Sequence, residues 1–145
     1  MQIKGLGHVV FYVTDVAKMV AFYEGILGFK LITQKPGMAL FSSGRTHHEM
    51  LLIEVGGQAE PKGPIKPGLY HVGFKIGDTD EDLKEAIQTL QENNVPILGA
   101  SDHTVTHSLY IADPDGNELE LYVDVNEGWK TNPELVATPV KPLRL

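Results

Sequence analysis

The sequence contains no cysteine. This absence excludes disulfides, thiolate-bound metals and cysteine nucleophiles together, so any metal site must use histidine, aspartate or glutamate. No stretch approaches the roughly 20 consecutive apolar residues that a membrane-spanning helix requires, and no membrane partner is expected. The first residues also lack a basic segment followed by a long apolar run. We therefore expect no signal peptide and a cytoplasmic protein.

Positive charge is scarce as well. Twelve Lys and Arg stand against 19 Asp and Glu, which gives a formal net charge of −7 at pH 7. This balance argues against nucleic acid as a partner. The 145 residues suffice for one or two compact units, and 42% hydrophobic content is typical of a soluble globular protein. Six histidines are present, and they are the first candidates for chemistry.

One short pattern occurs twice in the chain. Segments 7–15 and 70–78 share histidine, valine, phenylalanine, an aliphatic residue and aspartate in the same order, at an offset of 63 residues. Apolar residues at helical spacing follow the first copy over 16–27, before a glycine at the position of a left-handed cap. A second helix is predicted from Asp80, as its cap, to about Asn94. The sequence thus predicts two similar modules.

Further strands are predicted after each helix. They cover residues 28–33, 39–42 and 50–55 in the first module, and 97–98, 109–112 and 118–123 in the second. Residues 113–117 read Asp-Pro-Asp-Gly-Asn, a strong turn that joins the last two strands in a hairpin. The predicted fold is α+β, with two tandem βαβββ modules that form a U-shaped mixed sheet around a cleft.

The predicted domain covers residues 1–125. Module one takes residues 1–56, a linker rich in glycine, proline and lysine takes 57–68, and module two takes 69–125. Residues 126–145 contain three prolines and are predicted to form an extended arm. Such an arm lies over the surface or reaches a second subunit, and a homodimer is expected.

Alternation of side chains along each strand separates the core from the cleft. His8 and His71 fall opposite all-apolar strand faces, and Glu120 falls opposite Leu119, Leu121 and Val123. Glu54 is interpreted as the internal counterpart of Glu120, on the face opposite Leu51, Ile53 and Val55. One cleft can then be lined by His8, Glu54, His71 and Glu120. Such imidazole and carboxylate ligands suit Fe(II), Mn(II), Ni(II) or Zn(II).

Four motifs carry a family resemblance over about residues 5–125. They are His8-Val-Val-Phe, the run Phe-Tyr-Glu-Gly-Ile-Leu-Gly-Phe at 22–29, His71-Val-Gly-Phe, and Asp113-Pro-Asp-Gly-Asn-Glu-Leu-Glu120. The chain resembles the vicinal-oxygen-chelate superfamily, which includes glyoxalase I, fosfomycin- and bleomycin-resistance proteins, methylmalonyl-CoA epimerase and type I extradiol dioxygenases. The resemblance implies paired βαβββ modules around a U-shaped cleft. It also implies that His8, His71 and Glu120 bind one divalent metal.

Within that superfamily the chain most resembles a small type I extradiol ring-cleavage dioxygenase. The resemblance implies Fe(II) on a two-histidine, one-carboxylate triad, a catechol-like aromatic diol as substrate, and His48, His103 and Tyr110 as catalytic residues. His103 matches the family's acid/base histidine. Its distance to the tyrosine is about two residues shorter here, so His107 remains an alternative.

Three other functions are alternatives to the dioxygenase. A glyoxalase I-like lyase or isomerase fits four ligands that include Glu54, but the 103–110 segment has no role in such an enzyme. A fosfomycin-resistance activity is disfavoured because no basic, Ser-Glu-Gly-like loop is found. A metal-free drug-binding protein has no need of both histidines and Glu120.

Overall fold

Two units of chain are distinguished in the computed structural model, which describes residues 1–60, 63 and 65–145. Unit 1 comprises Met1–Lys62 with Pro114–Gly116, and unit 2 comprises Gly63–Asp113 with Asn117–Leu145. Residues 61, 62 and 64 of the predicted linker 57–68 lie outside the described residues. The grouping of both modules into a single domain over 1–125 stays a prediction.

Unit 1 contains one complete βαβββ module. Its elements are β1 (Val9–Val13), α1 (Val16–Tyr23), β2 (Leu31–Lys35), β3 (Met38–Phe41) and β4 (Met50–Glu54). The four strands form a sheet in the order β1-β4-β3-β2. The first and last strands of the module pair in parallel, and the other pairs are antiparallel.

Helix α1 begins at a side-chain cap and ends earlier than the apolar spacing predicts. Asp15 caps it by accepting a hydrogen bond from the amide of Lys18 at 2.9 Å. Beyond Tyr23 the amides of Ile26 and Leu27 both donate to the carbonyl of Phe22, so the regular helical pattern stops there. The chain then reverses at a glycine with φ of 67°, as predicted for position 28.

The core of unit 1 lies between α1 and one face of its sheet. The helix packs against β3 and β4. Its buried side chains meet those of the strands, and the buried apolar set is Phe11, Val13, Val16, Met19, Phe22, Tyr23, Ala39, Phe41, Met50 and Leu52. Removal of these side chains from water stabilises the module by roughly 1.5–3 kcal/mol for each large residue.

Unit 2 repeats the module and extends it. Its elements are β5 (His71–Gly77), α2 (Asp80–Glu92), β6 (Gly99–Asp102), β7 (Thr106–Ala112), β8 (Glu118–Asp124) and β9 (Lys141–Pro142). The strand order is β5-β8-β7-β6-β9, with β5 and β8 parallel and the other pairs antiparallel. The predicted α+β class with two tandem βαβββ modules is confirmed.

Helix α2 begins at a capping box one residue before the predicted cap. Thr79, and not Asp80, is the N-cap: its hydroxyl accepts from the amide of Asp82, and the Asp82 carboxylate accepts from the Thr79 amide at 2.9 Å. Hydrogen bonds from the Thr79 hydroxyl and the Asp78 amide lower the pKa of Asp82. Asp80 follows as the first helical residue and adds favourable negative charge there.

The predicted turn at 113–117 is confirmed. Both carboxylate oxygens of Asp113 accept hydrogen bonds from Asn117, one from its amide at 2.9 Å and one from its side chain at 2.8 Å. This pairing closes the hairpin between β7 and β8 and fixes their register. The strand predicted at 97–98 lies instead at Gly99–Asp102, because pairing with β7 begins at the glycine.

The last segment differs from the extended arm predicted over 126–145. It folds into two 3₁₀ helices, Glu127–Lys130 and Pro133–Ala137, and ends on β9 at the edge of the unit 2 sheet. The side chains of Asn126 and Asn132 cap the two turns, which explains why the chain curls here. Over the described residues, no helix has the length and apolar character needed to cross a membrane.

Candidate metal centre

An imidazole and a carboxylate meet on the sheet of unit 2. Nε2 of His71 lies 3.1 Å from Oε2 of Glu120. Strands β5 and β8 bring them together because their parallel register sets His71 opposite Glu118 and Gly73 opposite Glu120, all on one face. The side chains of His71 and Glu120 are 25% and 17% exposed, so both are shielded from water and still reachable.

Tyr110 and His103 extend this pair into a hydrogen-bonded chain. The Tyr110 hydroxyl donates to Oε1 of Glu120 at 3.3 Å, and Nε2 of His103 lies 2.9 Å from the same hydroxyl. The phenol has one proton and gives it to Glu120, so His103 donates its Nε2–H to the phenol oxygen. Unit 2 therefore brings together four of the predicted site residues, with His71 included.

The environment of Tyr110 keeps its hydroxyl protonated. Burial raises the pKa of Tyr110 to about 12, and the negative charge of Glu120 and the hydrogen bond to it act in the same direction. Near neutral pH the phenol is therefore a hydrogen-bond donor and not a base.

His107 lies on the opposite face of the same sheet. Its Nδ1 is 2.5 Å from Oδ1 of Asp80, the first residue of α2, and its Nε2 is 3.7 Å from Asp102. Alternation along β7 explains this placement, since His107 is an odd number of residues from Tyr110. Of the two histidines that the sequence left open, only His103 reaches Tyr110 and Glu120.

Three histidines cluster in unit 1. The ring centroids of His8 and His48 are 4.4 Å apart, and those of His47 and His48 are 4.5 Å apart. The Nδ1 atoms of His47 and His48 approach to 2.6 Å, so one must donate and the other accept. Desolvation, followed by the charges of His8 and His47, lowers the pKa of His48 and favours its neutral form.

The predicted cleft position of Glu54 is wrong. Its Oε2 accepts a hydrogen bond from the amide of Val16 at 2.9 Å, and it pairs in register with Val13 on the helix-facing side of the sheet. Met50 and Leu52, its neighbours on that side, are fully buried. The first amides of α1 need acceptors, and a carboxylate at a helix N-terminus supplies one.

The position of Glu120 in the second module corresponds to Leu51 in the first. Glu120 is the register partner of Gly73, two residues after the first-strand histidine, and Leu51 is the partner of Val10 in the same place. Residues 50–53 are apolar on both faces, so alternation alone could not tell which side of β4 faces the core.

Two residues near Glu120 were not identified as site residues from the sequence. Oε1 of Glu118 lies 4.0 Å from Nδ1 of His71. Gly73 leaves space beside the site, because a Cβ there would lie 3.6 Å from Oε2 of Glu120 and 3.4 Å from the ring of Tyr122. Strand alternation places both on the His71 face, which was the available signal, but only the distances show how close they lie.

Lys75 is the cation on this face of β5. Its Nζ lies 2.7 Å from Oδ2 of Asp124 and also contacts the Asp78 carboxylate. Hydrogen bonds to these two carboxylates raise the pKa of Lys75. Its charge is therefore already balanced by two acidic side chains.

The family model of the glyoxalase/bleomycin resistance protein/dioxygenase superfamily matches residues 5–121. The chain belongs to this superfamily. The match spans both βαβββ modules except for the last three residues of β8, and it confirms the resemblance inferred from the four sequence motifs. The superfamily includes metal-dependent enzymes, and the imidazole and carboxylate groups assembled in unit 2 are suitable metal donors.

Two superfamily relatives carry different activities at equal identity. A metallothiol transferase FosB of Staphylococcus haemolyticus (strain JCSC1435) is 31% identical over 124 residues, which cover 83% of this chain and 84% of that protein. A biphenyl-2,3-diol 1,2-dioxygenase 3 of Rhodococcus globerulus is 31% identical over 120 residues, or 82% of this chain and 63% of that protein. Identity alone therefore does not choose between these activities.

Among solved structures of the superfamily, a glyoxalase/dioxygenase from Nostoc punctiforme superposes with a TM-score of 0.68. It is 20% identical, and the alignment covers 85% of this chain and 92% of that one. At this identity the likeness concerns the fold alone.

The donors of unit 2 fit the divalent metals that superfamily members bind. Two ligands held at about 2.0–2.2 Å by one ion lie about 3 Å apart, close to the 3.1 Å between His71 Nε2 and Glu120 Oε2. Nδ1 of His71 is buried without a hydrogen-bond partner, which points to a role for the ring beyond local hydrogen bonding. Over the described residues, no three histidine, aspartate or glutamate side chains are arranged so that together they could hold one ion.

Proposed function

We propose that this protein is a metal-dependent oxidoreductase, an Fe(II) extradiol ring-cleavage dioxygenase that acts on a catechol-like substrate. The supporting observation is the chain of hydrogen bonds from His103 through Tyr110 to Glu120, beside His71. Proton donors and acceptors held next to a carboxylate that we propose as a metal ligand suit a reaction in which an aromatic diol loses protons.

The proposed ligands are His71 and Glu120 from unit 2, with His8 from unit 1 as the third. Fe(II) is the proposed ion, and Mn(II), Ni(II) and Zn(II) suit the same imidazole and carboxylate set. When bound, the metal supplies Lewis acidity and open coordination positions for substrate and dioxygen.

The chain's own residues would manage the protons. Tyr110 donates from its hydroxyl and can orient a substrate oxygen once the substrate displaces one of its present partners. His103 holds a proton on Nε2, so its Nδ1 is the basic atom in the neutral ring. His48 is the second proposed acid/base, and its lowered pKa favours the neutral ring, the form that can act as a base. A positioned acid/base of this kind contributes typically ~10²–10⁴-fold in rate.

A metallothiol transferase is the second candidate, favoured by the 31% identity to FosB across 84% of that protein's length. Lys75 argues against an anionic substrate on the unit 2 sheet, because Asp78 and Asp124 already neutralise it. A four-ligand glyoxalase-like site is less well supported, since Glu54 binds the start of α1. A metal-free drug-binding protein leaves the His71–Glu120 pair without a role.

An aromatic diol as ligand and a homodimer as the assembled form belong to the same proposal. The dimer is tested by sedimentation equilibrium on the full chain, where a single species of monomer mass would reject it.

The activity is tested on protein purified without oxygen and loaded with Fe(II). Oxygen uptake that depends on a catechol, together with the absorbance of a ring-cleaved product, supports the dioxygenase. Loss of thiol in the presence of fosfomycin supports the transferase instead. Turnover of methylglyoxal and glutathione with Ni(II) or Zn(II) supports the glyoxalase-like reading. Binding of an aromatic drug without any metal would support a drug-binding protein and reject all three enzyme activities.

A further inference from the structure

We propose that Glu118 is a positioning residue for the metal centre: it accepts the Nδ1–H hydrogen bond of His71 and so aims Nε2 of that ring at the metal. The proposal rests on the metal centre of the proposed function. It assigns a role to a carboxylate that was not among the site residues predicted from the sequence.

The geometry begins with the two nitrogens of His71. Nε2 faces Glu120 at 3.1 Å, and Nδ1 faces Oε1 of Glu118 at 4.0 Å. Nδ1 is buried and has no hydrogen-bond partner. The Glu118 side chain is 13% exposed, so its carboxylate is also largely removed from water. The imidazole ring of His71 therefore lies between two carboxylates, and each of its nitrogens faces one of them.

A metal on Nε2 fixes the protonation of the other nitrogen. A neutral imidazole that gives one lone pair to a metal carries its proton on the second nitrogen, so Nδ1 becomes a donor. A buried donor without a partner destabilises the folded protein, because it has lost its hydrogen bonds to water and gained none in return. Glu118 is the acceptor that faces it, and closing the gap needs only a shift of about 1 Å by a flexible side chain to reach hydrogen-bond distance. Metal-bound histidines commonly donate their second N–H to a carboxylate in this way.

Tyr70 holds Glu118 near the ring. The Tyr70 hydroxyl donates a hydrogen bond to the Glu118 carboxylate. The rings of Tyr70 and His71 meet edge to face with centroids 4.6 Å apart. The β5–β8 register sets His71 opposite Glu118 as well. Backbone pairing, ring packing and a side-chain hydrogen bond thus all keep this carboxylate beside His71.

The test compares two changes at Glu118 on the full chain. Glu118→Leu removes the acceptor at similar volume, and Glu118→Gln keeps a weaker carbonyl acceptor. Glu85→Leu, at an exposed position on α2, is the matched control for loss of one carboxylate. Zn(II) affinity is measured by competition with a chromophoric chelator, and circular dichroism checks that each variant is folded.

We expect Glu118→Leu to weaken Zn(II) binding by about 10–100-fold, the usual effect of losing such a partner. The Zn(II) affinity of Glu118→Gln should lie between those of Glu118→Leu and the parent. Glu85→Leu should bind Zn(II) as tightly as the parent does. In ¹H–¹⁵N spectra of the Zn(II) protein, the His71 Nδ1–H should be a downfield resonance in the parent. This Nδ1–H resonance should move upfield in Glu118→Gln. If the leucine variant does not fold, the glutamine variant provides the test.

Two results would overturn the proposal and leave the metal centre intact. One is Zn(II) affinity in both Glu118 variants equal to that of the parent, while His71→Ala and Glu120→Ala lose the metal. The other is an unchanged Nδ1–H resonance with a loss of affinity as large as that of Glu120→Gln, which would make Glu118 a direct ligand. If the parent itself binds no divalent metal, the proposed function and this inference fail together.

Discussion

His71 and Glu120 lie 3.1 Å apart, Nε2 to Oε2, on two neighbouring parallel strands. The strands that hold them are the first and last of the second module, so the βαβββ order itself brings these distant residues together. A protonated imidazole could form an ion pair with the carboxylate, and a metal could bind both.

Glu54 is expected to stabilise the fold without binding metal. Glu54→Ala removes the acceptor of the Val16 amide, and loss of such a contact at a helix start costs about 1 kcal/mol in the free energy of unfolding. Metal affinity should equal that of the parent. Urea denaturation and chelator competition measure the two quantities. Glu24→Ala, at the opposite end of α1, should not destabilise the protein. Loss of metal in Glu54→Ala would contradict this prediction and support a four-ligand site that includes Glu54.

His103 and His107 should differ in their effect on turnover. His103 contacts Tyr110 in the candidate site, whereas His107 contacts Asp80 on the other face of the sheet. His103→Gln should keep its metal and lower kcat for catechols by about 10²–10⁴-fold. His107→Gln should keep both metal and kcat. Steady-state oxygen uptake at equal iron content compares them, and equal kcat in both variants would remove His103 from the mechanism.

Removal of the Tyr110 hydroxyl should cost stability as well as activity. Tyr110→Phe leaves Oε1 of Glu120 and Nε2 of His103 without their shared partner, at a cost of roughly 1–3 kcal/mol in the free energy of unfolding. Metal content should be unchanged, because the ligands remain. Tyr122→Phe, a second tyrosine of the same sheet face, is the control. If Tyr110→Phe is as stable and as active as the parent, the hydroxyl contributes neither to stability nor to turnover.

The capping box of α2 should make stability depend on pH in acid. The folded-state pKa of Asp82 is lowered from its ordinary value of 3.8. Its ionised form therefore stabilises the protein above that value, and the stabilisation is lost as pH falls through the lowered pKa. Asp82→Asn should flatten this part of the curve of unfolding free energy against pH. Glu85→Gln should leave the curve unchanged, and an unaltered acid slope in Asp82→Asn would reject the assignment.

The module order and the turn at 113–117 could be predicted because several local signals agree there. Repeated histidine patterns, helical spacing and turn residues each specify the same elements. The last segment was predicted less well, since its prolines suggested extension while Asn126 and Asn132 cap short 3₁₀ helices. Caps act on single amides, and spacing does not reveal them.

The candidate site was predictable where one strand face is apolar and the other is not. Glu120 follows this rule, because Leu119 and Leu121 are buried on the opposite face. Glu54 does not, because residues 50–53 are apolar throughout and the burial of Met50 and Leu52 decides the face. The contact of Glu118 with His71 depends on side-chain rotamers, which no sequence pattern specifies.

Metal stoichiometry in the ligand variants tests the central claim most directly. The parent, loaded with Fe(II) without oxygen and desalted, should retain one ion per chain by elemental analysis. His8→Ala, His71→Ala and Glu120→Ala should each retain none while keeping the parental circular dichroism spectrum, because their side chains do not belong to the buried apolar core. A folded Glu120→Ala protein with full metal occupancy would contradict the account.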